Sequence, residues 1–216
     1  KEIIFNIIKF NEDERYLEIK NLELGKNDKI KNIDLLKIDL LNKKEKNNKL
    51  EFKKVNDNYY LIGKEFDGSK NIKNILNNST KSIFSIFKNL NTYIYIDIGK
   101  YFVNEDSYLL NTQGKIHIKN NKVFNSNIVS ELNGKDKFNL NIFTKDNKKK
   151  ITNLIIERPE PFIKNYKFIK GFKEGNLQYE SSNYEGKTTS ILKIKDFKVQ
   201  EVPVLAKLLT LASLQG

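Results

Sequence analysis

The sequence lacks the residue types on which many active sites and covalent cross-links depend. It has no cysteine, which excludes disulfide bonds, thiolate metal sites and cysteine nucleophiles. It has one histidine, His117, and a lone imidazole cannot build the usual multi-histidine metal site. Neither a glycine-rich phosphate loop nor a nucleophile-elbow motif occurs. The sequence therefore predicts a protein that is not an enzyme and that has no cofactor.

Long apolar runs are absent as well. No stretch of about 18 apolar residues occurs, so no transmembrane helix is predicted. Hydrophobic residues make up 38% of the chain and charged residues 31%. This balance favours a thin sheet with one apolar face over a thick core that is buried on both sides.

Arginine is scarce although the chain is strongly basic. The formal net charge is +12, yet the only arginines are Arg15 and Arg158. A basic surface can serve nucleic acid or an anionic membrane, but lysine, asparagine and isoleucine dominate everywhere, as A- and T-rich coding DNA would produce. Both origins of the charge stay open. Because arginine is the preferred reader of phosphates and bases, nucleic acid is not an expected partner.

Alternation of apolar and polar residues with a period of two recurs along most of the chain and predicts β-strands. In the stretch TYIYIDIGK, for example, Ile94, Ile96 and Ile98 point to one side and Tyr93 and Asp97 to the other. Since side chains two apart share a face, adjacent strands should combine these positions into one apolar surface. The residues predicted to line it are Ile94, Ile96, Ile98, Ile116, Ile118, Leu140, Ile142, Leu192 and Ile194.

Short polar breaks separate these runs and predict hairpin turns. They lie at Lys119–Asn121, at Asn133-Gly134 and at Asp146-Asn147, which precedes a lysine cluster. Strands joined by short turns form an antiparallel meander, whereas parallel units need a long crossover for each strand. We therefore expect an antiparallel sheet.

Two segments have helical spacing, and a shorter turn is expected near Pro159 and Pro161. Residues 71–90 form the first segment and residues 202–215 the second, with Pro203 at its first turn. The second segment has a broad apolar stripe, so we expect it to lie over one end of the sheet as a lid. The lid residues are Val204, Leu205, Leu208, Leu209 and Ala212.

The surplus of apolar strand faces leaves two architectures open. A large uncovered apolar face would be an aggregation liability, so the sheet must close into a sandwich or barrel, or curl around an apolar ligand. The first gives a dry, self-packed core, and the second gives an elongated curled sheet with an apolar groove.

The end of the chain resembles a known family. The stretch LKIKDFKVQEVPVLAKLLTLASLQG, residues 192–216, is similar to the C-terminal region of the AsmA-like superfamily, YhdP/DUF3971 type. The matching positions are Asp196, Phe197, Pro203, Leu205, Leu208, Leu209, Ala212, Ser213 and Gly216. A second stretch, residues 59–76, resembles another family element through Gly63, Phe66, Asp67 and Ser69, whereas Lys173 and Glu174 interrupt a third.

The resemblance covers roughly residues 55–216, is most specific over 160–216, and implies an architecture and a role. Residues 1–216 would be one segment of a longer, mainly β protein: an elongated, curled antiparallel sheet, taco-like in section, with two or three short helices. Its implied partners are phospholipid acyl chains, which it would bind or conduct between the inner and outer membranes. The implied location is the periplasm, with a tether to the inner membrane, and membrane contact through parts of the longer chain. The alternative is a structural envelope or assembly protein with a dry core.

Overall fold

The computed structural model describes residues 2–41, 47–69, 83–163 and 172–199. Within these ranges the protein is mainly β, as predicted, and its thirteen strands form one open, curled sheet. The strands are β1 (Ile3–Glu12), β2 (Arg15–Leu24), β3 (Ile30–Asn32), β4 (Leu35–Leu41), β5 (Asn47–Val55), β6 (Asn58–Asp67), β7 (Thr92–Phe102), β8 (Tyr108–Lys119), β9 (Lys122–Leu132), β10 (Asp136–Lys145), β11 (Lys149–Glu157), β12 (Phe172–Tyr184) and β13 (Lys187–Val199).

The strands follow one another across the sheet in chain order, except that β3 pairs only with β2. Neighbouring strands are antiparallel with one exception. Strands β6 and β7 are parallel, with Tyr59 opposite Ile94 and Leu61 opposite Ile96. The sheet is antiparallel as expected except at this pair. Parallel neighbours need a crossover that returns the chain to the same end of the sheet, and residues 68–91 supply it.

The hairpin turns lie where the sequence predicts them, because asparagine, aspartate and glycine tolerate the left-handed backbone that tight turns require. Asn120 and Asn121 have φ of 48° and 61° between β8 and β9. Asn133 and Gly134, with φ of 52° and 78°, connect β9 to β10. Asp146 and Asn147 do the same between β10 and β11.

Helical structure is sparse in the described ranges. One short α-helix, α1, spans Glu160–Ile163 near the predicted turn, and 3₁₀ helices span Lys26–Asp28 and Ile83–Ile86. The helix predicted over 71–90 overlaps the second of these 3₁₀ helices, Ile83–Ile86. Residues 71–82 of the prediction lie outside the described ranges. The predicted lid helix, 202–215, also lies outside them.

The chain exposes more accessible surface than a compact protein of its length. The accessible surface is 14824 Å², whereas a compact monomer of this size would expose roughly 10,000 Å². Strands β1 and β13 form the two free edges. The sheet is therefore open at its edges and is not closed into a barrel.

The regular pairing is interrupted in more than one strand pair. The register shifts between Lys49 and Leu50 in the β5–β6 pair, and between Leu110 and Gln113 in the β8–β9 pair. Asn111 has φ of 51° at the second shift. Such β-bulges insert an unpaired residue and interrupt the alternation.

Candidate functional site

One face of the sheet carries both buried apolar clusters, and we call it the inner face. The opposite side is the outer face. The strand registers place all of the predicted surface residues on the inner face. Ile94 lies opposite Ile116, and Ile142 lies opposite Ser126 on β9 and Thr152 on β11. Leu192 and Ile194 lie opposite Tyr179 and Leu177.

The first cluster lies under the crossover between β6 and β7. Its buried members are Ile33, Tyr59, Phe87, Leu90, Ile94 and Ile118. We call residues 84–90 of the crossover the cover segment. Phe84, Phe87 and Leu90 pack on the cluster, so this part of the inner face is sealed by the chain itself.

Hydrogen bonds to β3 and to the Asn121 side chain hold the cover segment at both sides. The Lys88 amide donates to the Ile30 carbonyl at 2.8 Å, which ties the segment to β3. At the β8–β9 turn, the Asn121 side-chain amide donates to the Phe87 carbonyl at 2.9 Å, and the Leu90 amide donates to the Asn121 side-chain oxygen at 2.5 Å. Asn121 therefore has a second role beyond the turn that its left-handed backbone forms, because its side chain positions the cover segment.

The second cluster lies toward the opposite ends of the strands. Its buried members are Val103, Leu109, Leu132, Ile156 and Leu177. Helix α1 contributes Phe162, whose ring stacks on Phe138 with centroids 5.7 Å apart, and Pro159 beside it is fully buried. This end of the inner face is closed as well.

Between the two clusters runs a strip of aliphatic side chains that belongs to neither. Ile128 on β9 and Leu140 and Ile142 on β10 are half-buried, and none of them is part of either cluster. Ile128 and Leu140 lie directly opposite each other. We call these three residues the open strip, since among the described residues neither cluster extends over them.

The predicted surface residues divide between the closed and open regions. Ile94, Ile98 and Ile118 are buried at 4%, 3% and 0% exposure, so they are core residues of the folded chain. Ile96, Ile116, Leu140, Ile142 and Ile194 are half-buried, and Leu192 is 53% exposed near the β13 edge. Ile128 was missed because the polar side chains around it hide its alternation.

Small and hydroxyl side chains interrupt the apolar surface beside the strip. Thr112 and Ser130 are buried, and their hydroxyls are 2.9 Å apart. Ser130 donates in turn to the Leu110 carbonyl at 2.7 Å. Gly114 lies opposite Ile96 and Ile128. A Cβ there would lie 2.5 Å from the Asn127 carbonyl oxygen, so the strands approach each other as closely as they do only because residue 114 is glycine.

Beyond the open strip the inner face becomes polar on β10 to β13. Thr144 lies opposite Lys150, which lies opposite Asn183, and Asn183 lies opposite Thr188. One row nearer the strip, Thr152 lies opposite Ser181, which lies opposite Ser190. The inner face therefore changes along the strands from aliphatic to hydroxyl and amide.

The same end of the sheet carries a concentration of lysines, and we call it the basic end. The hairpins β8–β9, β10–β11 and β12–β13 all turn there, because alternate hairpins of a meander share an end. The lysines at these turns are Lys119, Lys122, Lys145, Lys148, Lys149, Lys150 and Lys187. The acidic residues at the same turns are Asp146 and Glu185.

The outer face carries an aromatic and cationic band whose rings pair with one another. Tyr93 stacks on His117 with ring centroids 4.3 Å apart, and the Lys115 ammonium lies 4.1 Å from the Tyr93 centroid. Tyr60 stacks on Tyr95 at 5.0 Å in the same way. Each of these stacks covers a ring face on which a base would otherwise stack. The band reads as cross-strand pairing that stabilises the sheet.

Potential metal ligands do not cluster in the part of the chain that the structure describes. The structure gives no group of three or more histidine, cysteine, aspartate or glutamate side chains that could hold a metal ion within the residues it describes. A shallow polar cleft lies near the second cluster, where the Arg158 Nε and an Asp136 oxygen are 3.4 Å apart. None of the described helices has the length and hydrophobicity to cross a bilayer.

Comparison with protein-family models, with curated proteins and with solved structures finds no match to this chain. The functional argument therefore depends on the geometry of the inner face.

Proposed function

We propose that the inner face binds the acyl chain of a lipid along the open strip, and that the protein is a lipid-binding or lipid-conducting segment of an envelope protein. The observation that carries the proposal is the half-buried set of Ile128, Leu140 and Ile142, which neither core cluster includes. Aliphatic side chains that lie outside both core clusters of the described residues are the surface that an acyl chain would cover.

The dimensions and energetics of the strip suit part of a single acyl chain. From Leu140 to Ile142 the strip extends about 7 Å along β10, whereas half of a hydrocarbon core is about 15 Å. Each CH₂ group removed from water contributes about 0.8 kcal/mol. The nearest free edge of the sheet is β13, three strands from β10, and an acyl chain could enter across the inner face from that side without unfolding the protein.

The resemblance of residues 160–216 to AsmA-like proteins extends the proposal to a location and a role. In this reading the segment lies in the periplasm, in a longer protein tethered to the inner membrane, and supports phospholipid movement between the inner and outer membranes. The competing reading is a structural envelope protein in which the open strip closes on itself in solution.

A pair of charge substitutions on one strand tests the proposal. Leu140→Asp places a carboxylate on the open strip, and Phe143→Asp places one on the outer face, where Phe143 is already 39% exposed. Because the strip is half-buried, the Leu140 variant should reach water and stay folded, while losing bound lipid. The Phe143 variant should keep both fold and lipid. Ile96→Asp, which the alternation suggests, is less informative because Ile96 packs against the first cluster.

The measurement is native mass spectrometry of the purified chain, with lipid extraction, alongside a thermal melt of each variant. Co-purified phospholipid in the wild type, absent from Leu140→Asp and retained by Phe143→Asp, is the expected result. An unfolded Leu140 variant together with a lipid-free wild type would favour the dry, structural reading, because a charge in a closed core has no partner.

A further inference from the structure

We propose that Lys150, at the end of the open strip, binds the phosphate of a lipid headgroup whose acyl chain lies on the strip. The inference depends on the proposed function and names the polar half of the same ligand. It assigns the strip a direction, with the headgroup at the basic end and the acyl chain pointing toward the second cluster.

The position of Lys150 distinguishes it from the other lysines of the basic end. It lies on the inner face, since it alternates with Thr152 and Leu154 on β11 and is opposite Thr144 on β10. It is half-buried, whereas the adjacent Lys149 and Lys148 are exposed. Ile142 lies on the neighbouring strand, opposite Thr152 and therefore diagonal to Lys150. Standard sheet spacings place the backbones of Ile142 and Lys150 about 8 Å apart. The ammonium is therefore within a headgroup's reach of the apolar strip.

The charge of Lys150 is not balanced by the described part of the chain. Burial lowers its pKa from the ordinary lysine value, and the nearby positive charge of Lys122 lowers the pKa further. None of the ion pairs among the described residues involves Lys150. A half-buried cation beside a second cation is unfavourable unless an anion completes the site.

The surroundings offer hydrogen-bonding groups suited to an oxyanion. Thr152, Ser181 and Asn183 lie on the same face beside Lys150. The Ser190 hydroxyl donates to Ser181 at 3.1 Å, and the Asn183 amide donates to the Thr188 hydroxyl at 2.6 Å, so these groups form an ordered row. A phosphate takes hydrogen bonds from lysine and from hydroxyl and amide donors. The combination fits a phosphate-bearing headgroup, with the exposed lysines of the basic end adding a positive field.

The test compares two lipids that differ only in the headgroup. Native mass spectrometry measures retention of phosphatidylglycerol and of diacylglycerol with the same acyl chains, for the wild type, Lys150→Gln and Lys149→Gln. The two variants lose the same charge from neighbouring positions, but only Lys150 faces the strip. The wild type should prefer phosphatidylglycerol, and Lys150→Gln should reduce that preference roughly tenfold without changing diacylglycerol retention. Lys149→Gln should leave the preference intact.

The outcomes separate this inference from the proposed function. If the wild type retains neither lipid, the proposed function fails. If it retains both equally, or if Lys150→Gln leaves the preference unchanged, the acyl-chain site stands and the headgroup site is wrong. Binding of inorganic phosphate alone that depends on Lys150, with no lipid retained, would identify a free phosphate site and overturn the lipid assignment. Thermal melts provide an independent readout, since Lys150→Met removes a half-buried charge and should raise the melting temperature of the lipid-free chain.

Discussion

The covered clusters and the open strip of the inner face differ in burial more than in composition. Leu132 in the second cluster is 0% exposed, whereas Leu140 on the next strand is half-buried, although both are leucines on the inner face. The difference comes from what lies above each residue. The cover segment and helix α1 close the clusters, and neither extends over Leu140.

The alternation of apolar and polar residues along a strand decides which side chains share a face, but it does not decide which of them are buried. The cover segment is brought to the first cluster by the parallel pairing of β6 and β7 and by the Asn121 hydrogen bonds. Both are long-range features. Substitutions in the two regions should therefore have different effects, and they test whether the regions differ in burial.

The largest effect should come from truncating the two leucines in parallel. Leu132→Ala should lower the free energy of unfolding by about 2–5 kcal/mol, because it leaves a cavity in a closed cluster. Leu140→Ala should cost less than about 1 kcal/mol, since water or lipid can fill the space. Chemical denaturation of the two variants measures the difference. Equal losses would show that the open strip is as closed as the clusters, and that the comparison is mistaken.

Gly114→Ala should have the next largest effect, at about 1–3 kcal/mol of stability. The added Cβ would lie 2.5 Å from the Asn127 carbonyl oxygen and 2.9 Å from an Ile128 side-chain carbon, so β8 and β9 would have to separate beside the open strip. Gly25→Ala is the control, because the atom nearest its Cβ, at 3.1 Å, belongs to the flexible Lys31 side chain. A thermal melt of each variant measures the loss of stability. A Gly114→Ala variant as stable as Gly25→Ala would contradict the close approach of β8 and β9 at this residue.

The Thr112 and Ser130 hydroxyls should respond unequally to removal. Ser130 donates to the Leu110 carbonyl, so Thr112 is the donor in the bond between them. Thr112→Val leaves Ser130 with that carbonyl and should cost below about 1 kcal/mol, whereas Ser130→Ala leaves the buried Thr112 hydroxyl unpaired and should cost about 1–3 kcal/mol. Equilibrium unfolding in urea measures both variants. The reverse order would contradict the assignment of Thr112 as the donor to Ser130.

The smallest effect is expected on the outer face, at the single histidine. Burial lowers the pKa of His117 below the ordinary 6.5, and the positive charges of Lys119 and Lys115 lower it further. Because the fold favours the neutral imidazole, stability should fall as the pH drops from 6.5 through the lowered pKa. An NMR titration of the imidazole measures this pKa, and Lys119→Gln should raise it part of the way back. A pKa at or above 6.5 in the wild type would contradict the burial of the imidazole beside Lys119 and Lys115.

Much of the sheet could be predicted from local pattern. The alternation identified β7, β8, β10 and β13 and the inner-face residues on them, and the asparagine and glycine breaks located the hairpins. The parallel pair was not predicted, because pairing direction depends on where the crossover returns the chain. The bulge at Asn111 was missed too, since asparagine within a strand gives no signal of a register shift until the neighbouring strand is known.

For the candidate site, the sequence by itself determined that aliphatic residues of many strands would share one face, because side-chain direction alternates along any β-strand. It also determined the lysine-rich turns, since those lysines lie between the strands. Only the tertiary structure decided that Ile118 is sealed while Leu140 and Ile142 are not, and that Lys150 faces inward at the end of the strip. Burial depends on what packs above a residue, and that is set by segments distant in sequence.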